Sequence, residues 1–156
     1  MRFEHLIEIN DPANPLIPQL SRAEVWRGLM YRVENPVLFL PGLETCTILE
    51  RGPSDVRREL HFGNTVVHDA VDFDEGERVR FVIAPSANHA GGELTISIEE
   101  PAPEHLFLRF AYRTTLAEGA DWEDTAYIEY VKSAYHASDI DCVQIIRVLA
   151  AGGTPQ

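Results

Sequence analysis

The chain has 156 residues, 45% of them hydrophobic and 24% charged, which suits one domain with a core of its own. With 25 acidic against 13 basic residues the formal charge is −12; that field repels polyanions and no basic patch offsets it, which argues against nucleic acid as a partner. No apolar stretch approaches a membrane span, and the N-terminus alternates from Phe3 without the apolar run of a signal peptide.

Phe3 to Asn10 alternates as a first strand, broken by Asp11-Pro12-Ala13-Asn14-Pro15, where two prolines stop pairing. Ser21-Arg22-Ala23-Glu24 is a capping box opening a helix with Ala23, Trp26, Leu29, Met30 and Val33 on one side. Asn35-Pro36 reads as the cap and first residue of a short second helix, stopped by Pro41-Gly42. Thr45 to Glu50 is the next strand. Val56 to Phe62 and Thr65 to Phe73 then flank Gly63-Asn64, a two-residue hairpin loop. A three-residue turn at Asp74-Glu75-Gly76 leads into Arg78 to Ile83.

Ala84 to Gly92 is a looser stretch, either a pocket rim or a plain solvent-exposed connector. Glu93 to Glu99 and His105 to Thr114 are two further strands, the first ended by Pro101 and Pro103. A long helix runs from Asp121, its cap, to about Ala150, and residues 151–156 read as a disordered tail of a single domain spanning 1–156. Tyr127, Val131, Ala134, Ser138, Cys142, Ile145 and Leu149 form its inner stripe. The small residues mid-stripe either bring the helix close to the sheet or leave room for a ligand. Ile140, Val143, Ile146 and Val148 make the second half apolar over more than one face, through contact with the short helices or a homodimer surface.

Strands meeting turn after turn make an antiparallel sheet that the last helix must cover, and a cavity can form between them. The Gly63-Asn64 loop sets the register: Phe62 opposite Thr65, Leu60 opposite Val67, Arg58 opposite Asp69, Val56 opposite Val71. The next hairpin puts Phe81 beside Asp69. Arg58 and Asp69 are then a facing ion pair on an otherwise apolar face, where a charge is costly unless paired. Their functional reading is a guanidinium and carboxylate that orient a polar ligand group; the alternative is a cross-strand pair worth about 0.2–1 kcal/mol. On the opposite face Glu59 meets His68, as a salt bridge or as a carboxylate–imidazole base. Tyr112 is the polar tip of the Leu106, Leu108, Phe110 face, and Tyr127, Tyr130 and Tyr135 cluster on the long helix.

The six histidines have no zinc spacing, and phosphate-cradling, nucleophile-elbow and cysteine–histidine motifs are missing, so neither a metal nor a cofactor is expected. Cys46 and Cys142, far apart in a strand and a helix, suit a reduced, cytoplasmic setting.

His5-Leu6-Ile7-Glu8-Ile9-Asn10, the stretch from Leu20 to Leu29, Pro41-Gly42, the stretch from Arg57 to Asn64, and Tyr130-Val131-Lys132 together resemble the START-like (SRPBCC) superfamily, and more narrowly its AtaL-like branch. The resemblance covers essentially the whole chain. It implies an α+β helix-grip fold: a seven-stranded curved antiparallel sheet around a long C-terminal helix, with two short helices after the first strand. It also implies binding of a hydrophobic or amphipathic small molecule between sheet and helix; no catalytic residues carry over. The expected lining is Val56, Leu60, Phe62, Phe81, Leu108, Phe110 and Val131, with Arg58, Asp69 and Tyr112 as polar anchors. Two rivals stand beside this. A cyclase or hydrolase acting on a polyketide-like or aromatic substrate predicts that Arg58→Ala or Asp69→Ala abolishes turnover with the fold intact. A protein-interaction module predicts a cavity collapsed by large side chains.

Overall fold

The computed structural model describes residues 2–84, 91–114 and 125–152, with side chains of the last stretch from 133 onward. The alternating runs become seven strands: β1 (Arg2–Glu8), β2 (Thr45–Arg51), β3 (Asp55–Phe62), β4 (Thr65–Asp74), β5 (Arg78–Ile83), β6 (Gly92–Ala102) and β7 (His105–Thr114). Helix α1 (Arg22–Glu34) and a 3-10 turn (Pro36–Leu38) follow β1, and α2 (Thr125–Ala150) comes last. One curved antiparallel sheet in the order β1-β7-β6-β5-β4-β3-β2, gripping a C-terminal helix, is the helix-grip arrangement. α2 packs against α1 and β1. Among the described residues no helix is long and apolar enough to cross a membrane.

Local chemistry sets most boundaries. The capping box forms as expected: Glu24 N–H donates to Ser21 Oγ at 3.0 Å, and Ser21 N–H to Glu24 Oε1 at 2.8 Å. The proline-rich segment after β1 is fastened by Asn10, whose side chain donates to the Leu20 carbonyl at 2.6 Å and accepts from the Leu20 N–H at 2.8 Å. Asn35 precedes the 3-10 turn but its side chain makes no cap there. Gly63 takes φ +57°, the left-handed first position of a two-residue hairpin loop, and all four predicted β3–β4 pairs form.

The second hairpin differs. Its loop is Glu75-Gly76-Glu77, closed by Asp74 opposite Arg78, so Phe81 faces Val71 and Asp69 faces Ile83. The Glu77 N–H bonds the Asp74 carbonyl at 2.9 Å, and the Arg78 side chain reaches the Asp74 carboxylate at 2.6 Å. These two bonds favour pairing one residue further out than the glycine position suggests. Parity is kept, so Phe81 stays on the expected face. β6 also runs past Pro101 to Ala102, with the ladder irregular between Glu99 and Ala102, where a residue lacking an N–H is tolerated.

The expected inner faces hold in part: Leu29, Val33 and Cys142 are buried, and Trp26, Met30, Ile145 and Leu149 pack against the core. α1 buries Val25, Gly28, Leu29, Arg32 and Val33, leaving Ala23 exposed. α2 buries Asp139, Cys142, Val143 and Ile146, with Ala134 exposed and Ser138 and Ile145 half-buried. At Gly28 the two helices meet tightly: a Cβ there would lie 2.8 Å from Ile146 Cγ1 and Cγ2. Contact with α1 thus accounts for Ile146, while Ile140 and Val148 are exposed. The expected start of α2 at Asp121, the side chains of Tyr127, Tyr130 and Val131, and residues 153–156 of the expected tail lie outside the described residues.

Candidate functional site

A cavity of about 420 Å³ opens between the sheet and the helices. The β3–β4 hairpin supplies Arg58, Leu60, Phe62, Val67 and Asp69; β5 adds Phe81 and Ile83, β6 Leu94, and β7 Tyr112 and Thr114. Arg32 closes it from α1, Pro36 and Leu40 from the segment after, and Tyr135 and Ser138 from α2. Gly91 and Gly92 also line it, at the end of the looser stretch after β5; 85–90 of that stretch lie outside the described residues.

Six of the ten side chains expected to line the cavity are on this wall: Arg58, Leu60, Phe62, Asp69, Phe81 and Tyr112; Val56 is not, being buried in the core. Nor are Leu108 and Phe110. Both are fully buried and join Val56, Leu29, Val143 and Ile146 in the core, because along β7 the helices close onto the sheet before the strand reaches Tyr112. The tenth, Val131, lies outside the described side chains.

Arg58 and Asp69 meet as the register requires, each side chain 2% exposed. Arg58 Nε donates to Asp69 Oδ1 at 2.9 Å and Nη2 to Oδ2 at 2.5 Å, a bidentate pair. Nη1 reaches the Val33 carbonyl at 3.0 Å and that of Arg32 at 3.4 Å, satisfying the orphaned carbonyls at the end of α1. The guanidinium carbon stands 5.3 Å from the Phe81 ring centroid. Most of its donors are therefore consumed within the fold.

A second cluster escapes sequence reasoning. Asp139 of α2 is 1% exposed and takes the Tyr112 hydroxyl proton donor on Oδ1, while His5 Nδ1 lies 2.8 Å from Oδ2. Burial raises the Asp139 carboxyl above the usual carboxylate range, although His5 and Tyr112 pull the other way. Burial likewise pushes the Tyr112 phenol up, reinforced by Asp139, so the phenol stays protonated as a donor. Phe3 of β1 stacks on Tyr112 with ring centroids 4.9 Å apart, and the tilted Tyr135 ring lies 4.6 Å away. The three polar groups form a line from cavity wall to a His5 side chain 14% exposed, an arrangement able to pass a proton between ligand and solvent. An aspartate in the i, i+4, i+7 phase of Val143 and Ile146 is the signal that locates it.

Arg32 is the other buried charge that the sequence does not reveal. It is 6% exposed, and its guanidinium carbon lies 5.7 and 5.5 Å from the Phe39 and Phe81 centroids. On the outer face Glu59 bonds His61 at 2.6 Å and His68 at 3.1 Å, which lowers its pKa, the His61 contact contributing most. His68 is exposed there, so this is a surface ion cluster remote from the cavity.

The profile of the AtaL family, described as acetylaranotin biosynthesis cluster protein L, matches residues 7–153. No curated protein sequence matches the chain. Among solved structures it resembles the aromatase/cyclase ZhuI from Streptomyces sp. R1128, with 20% identity and a TM-score of 0.64 over 99% of each chain. The di-domain ARO/CYC StfQ from the steffimycin biosynthetic pathway is 13% identical with a TM-score of 0.70, over 97% of this chain and 50% of that one. Ara h 8.0201 is 12% identical with a TM-score of 0.62, over 94% of this chain and 97% of that one. At such identities the likeness is one of fold.

Proposed function

The chain belongs to the AtaL family of the START-like superfamily, and on that footing we propose that it binds a hydrophobic or amphipathic small molecule in the cavity between sheet and α2. The observation that carries this is the cavity itself: about 420 Å³, walled by Leu60, Phe62, Val67, Phe81, Ile83 and Leu94 with a few polar groups among them. That volume falls within the range of roughly 300–1,000 Å³ typical of small-molecule sites. Apolar burial supplies the affinity; Tyr112 and the charged groups set orientation. An open cavity also runs against the interaction-module reading, which needs a collapsed one. Free Cys46 and Cys142 are consistent with a reducing cytoplasm.

Native mass spectrometry of freshly purified protein, compared with its denatured mass, tests the proposal. An extra mass that leaves on denaturation supports it and identifies the ligand class; a bare mass, together with no uptake of apolar probes, refutes it. The same spectrum reads whether the protein is a homodimer.

A second reading, an enzyme acting on a polyketide-like or aromatic substrate, is favoured by the Tyr112–Asp139–His5 line. Arg58→Ala and Asp69→Ala do not test it cleanly, because that pair also anchors the fold. Tyr112→Phe does: it keeps the ring and the stacking but removes the proton. Turnover lost with binding intact supports the enzyme reading, and unchanged turnover removes it.

A further inference from the structure

Charges on the cavity wall are compensated, with one exception. The Arg58 guanidinium is held by Asp69, and Asp139, which is not itself on the wall, by the wall residue Tyr112 and by His5. Glu93, at the edge, directs its carboxylate to Arg80 at 2.8 Å. Arg32 lines the same cavity, is 6% exposed, and among the described residues its Nη1 has no hydrogen-bond partner. No carboxylate among those residues forms an ion pair with it. Its neighbours are the Phe39 and Phe81 rings and the thiol of Cys142. The two rings flank the guanidinium and Cys142 takes a side-chain hydrogen bond from it, which leaves Nη1, on a residue lining the cavity, without an acceptor.

A buried lysine or carboxyl can give up its charge, but a guanidinium cannot deprotonate at ordinary pH. It requires an acceptor, and the one that matches its charge is an anion. The apolar wall excludes competing water and strengthens such a contact once the cavity is filled.

We propose that Arg32 receives an oxyanion, most simply a carboxylate, carried at the end of the apolar ligand, so that the cavity prefers amphipathic acids to their neutral analogues. This rests on the reading of the cavity as a hydrophobic-ligand site. It assigns the anchoring role to Arg32 rather than to Arg58, whose donors are taken by Asp69 and the end of α1.

The test is calorimetric titration with 2-naphthoate and 2-naphthamide, which share one apolar body and differ in charge. The wild-type protein should bind naphthoate at least about tenfold more tightly, the scale of one hydrogen bond to a charged group. Arg32→Met should abolish that preference, weakening naphthoate far more than naphthamide, and Arg32→Lys should keep part of it. Equal affinities in the wild type, or a preference that survives Arg32→Met, overturn the inference and leave the hydrophobic-ligand reading standing. Binding of neither probe counts against that reading and takes the inference with it. Should Arg32→Met not fold, a crystal structure of the wild-type protein with 2-naphthoate decides: a carboxylate on Arg32 Nη1 supports the proposal, and one seated elsewhere overturns it.

Discussion

Asp69→Ala strips Arg58 of its counter-charge where both side chains are 2% exposed. Two charge-assisted hydrogen bonds go, those at 2.9 and 2.5 Å, while the bond from Nη1 to the Val33 carbonyl at 3.0 Å remains. Breaking a buried pair from one side costs about 3–5 kcal/mol, because the surviving charge stays buried. The cavity lets water reach the stranded guanidinium, so the lower end, about 3 kcal/mol, is expected here. For a domain of this length that is a fall in Tm of roughly 6–12 °C. Urea titration and thermal melts followed by circular dichroism measure it. Arg58→Met/Asp69→Leu removes both charges and should return to within about 1 kcal/mol of wild type. Breaking the half-exposed Arg80–Glu93 pair, by contrast, should cost at most about 1 kcal/mol. A loss below about 1 kcal/mol in Asp69→Ala, or a double variant as unstable as the sum of the singles, would refute the view that the pair acts as a buried unit.

Gly28→Ala sets helix propensity, which favours alanine by about 1 kcal/mol, against the overlap with Ile146, which costs about 1–3 kcal/mol. A net loss of stability is expected, and Gly28→Ala/Ile146→Ala should lose less than the two single changes summed; melts of the four proteins check both points. Ser21→Ala should cost about 1 kcal/mol by removing the cap of α1, and a similar amount in a Glu24→Ala background, since Ser21 Oγ accepts from the backbone N–H of residue 24, which alanine keeps; melts of the single and double variants check this. Asp139 gives a pH dependence. Burial raises its folded-state pKa, so the stability from this group is fully present below the unfolded value of about 4 and declines as pH rises through the folded value. The Tm of wild type minus that of Asp139→Asn should therefore fall with rising pH across that window, and a flat difference would contradict the assignment.

The sequence made some of this arrangement legible and hid the rest for identifiable reasons. A two-residue loop leaves one register open, so Gly63-Asn64 was enough to place Arg58 against Asp69. The turn after β4 accepts its glycine at two positions, and the outcome depended on bonds made by Asp74 that composition does not announce. Alternation told which face Leu108, Phe110 and Tyr112 share, but not where along β7 the helices stop touching it. Arg32 and Asp139 were invisible for a common reason: amphipathic patterning sends charged residues outward, and only the packed fold shows that these two point in.

Gly28 against Ile146 has a consequence for how such a protein can change. The helices are clamped to each other and to the sheet toward one end of the strands, and the cavity opens toward the other. Substitutions at Leu60, Phe62, Val67 or Ile83 can therefore reshape what is held while the clamp goes on supplying the folding energy. Stability and selectivity are written in separate residues, which leaves the second free to diverge across relatives while the first is retained.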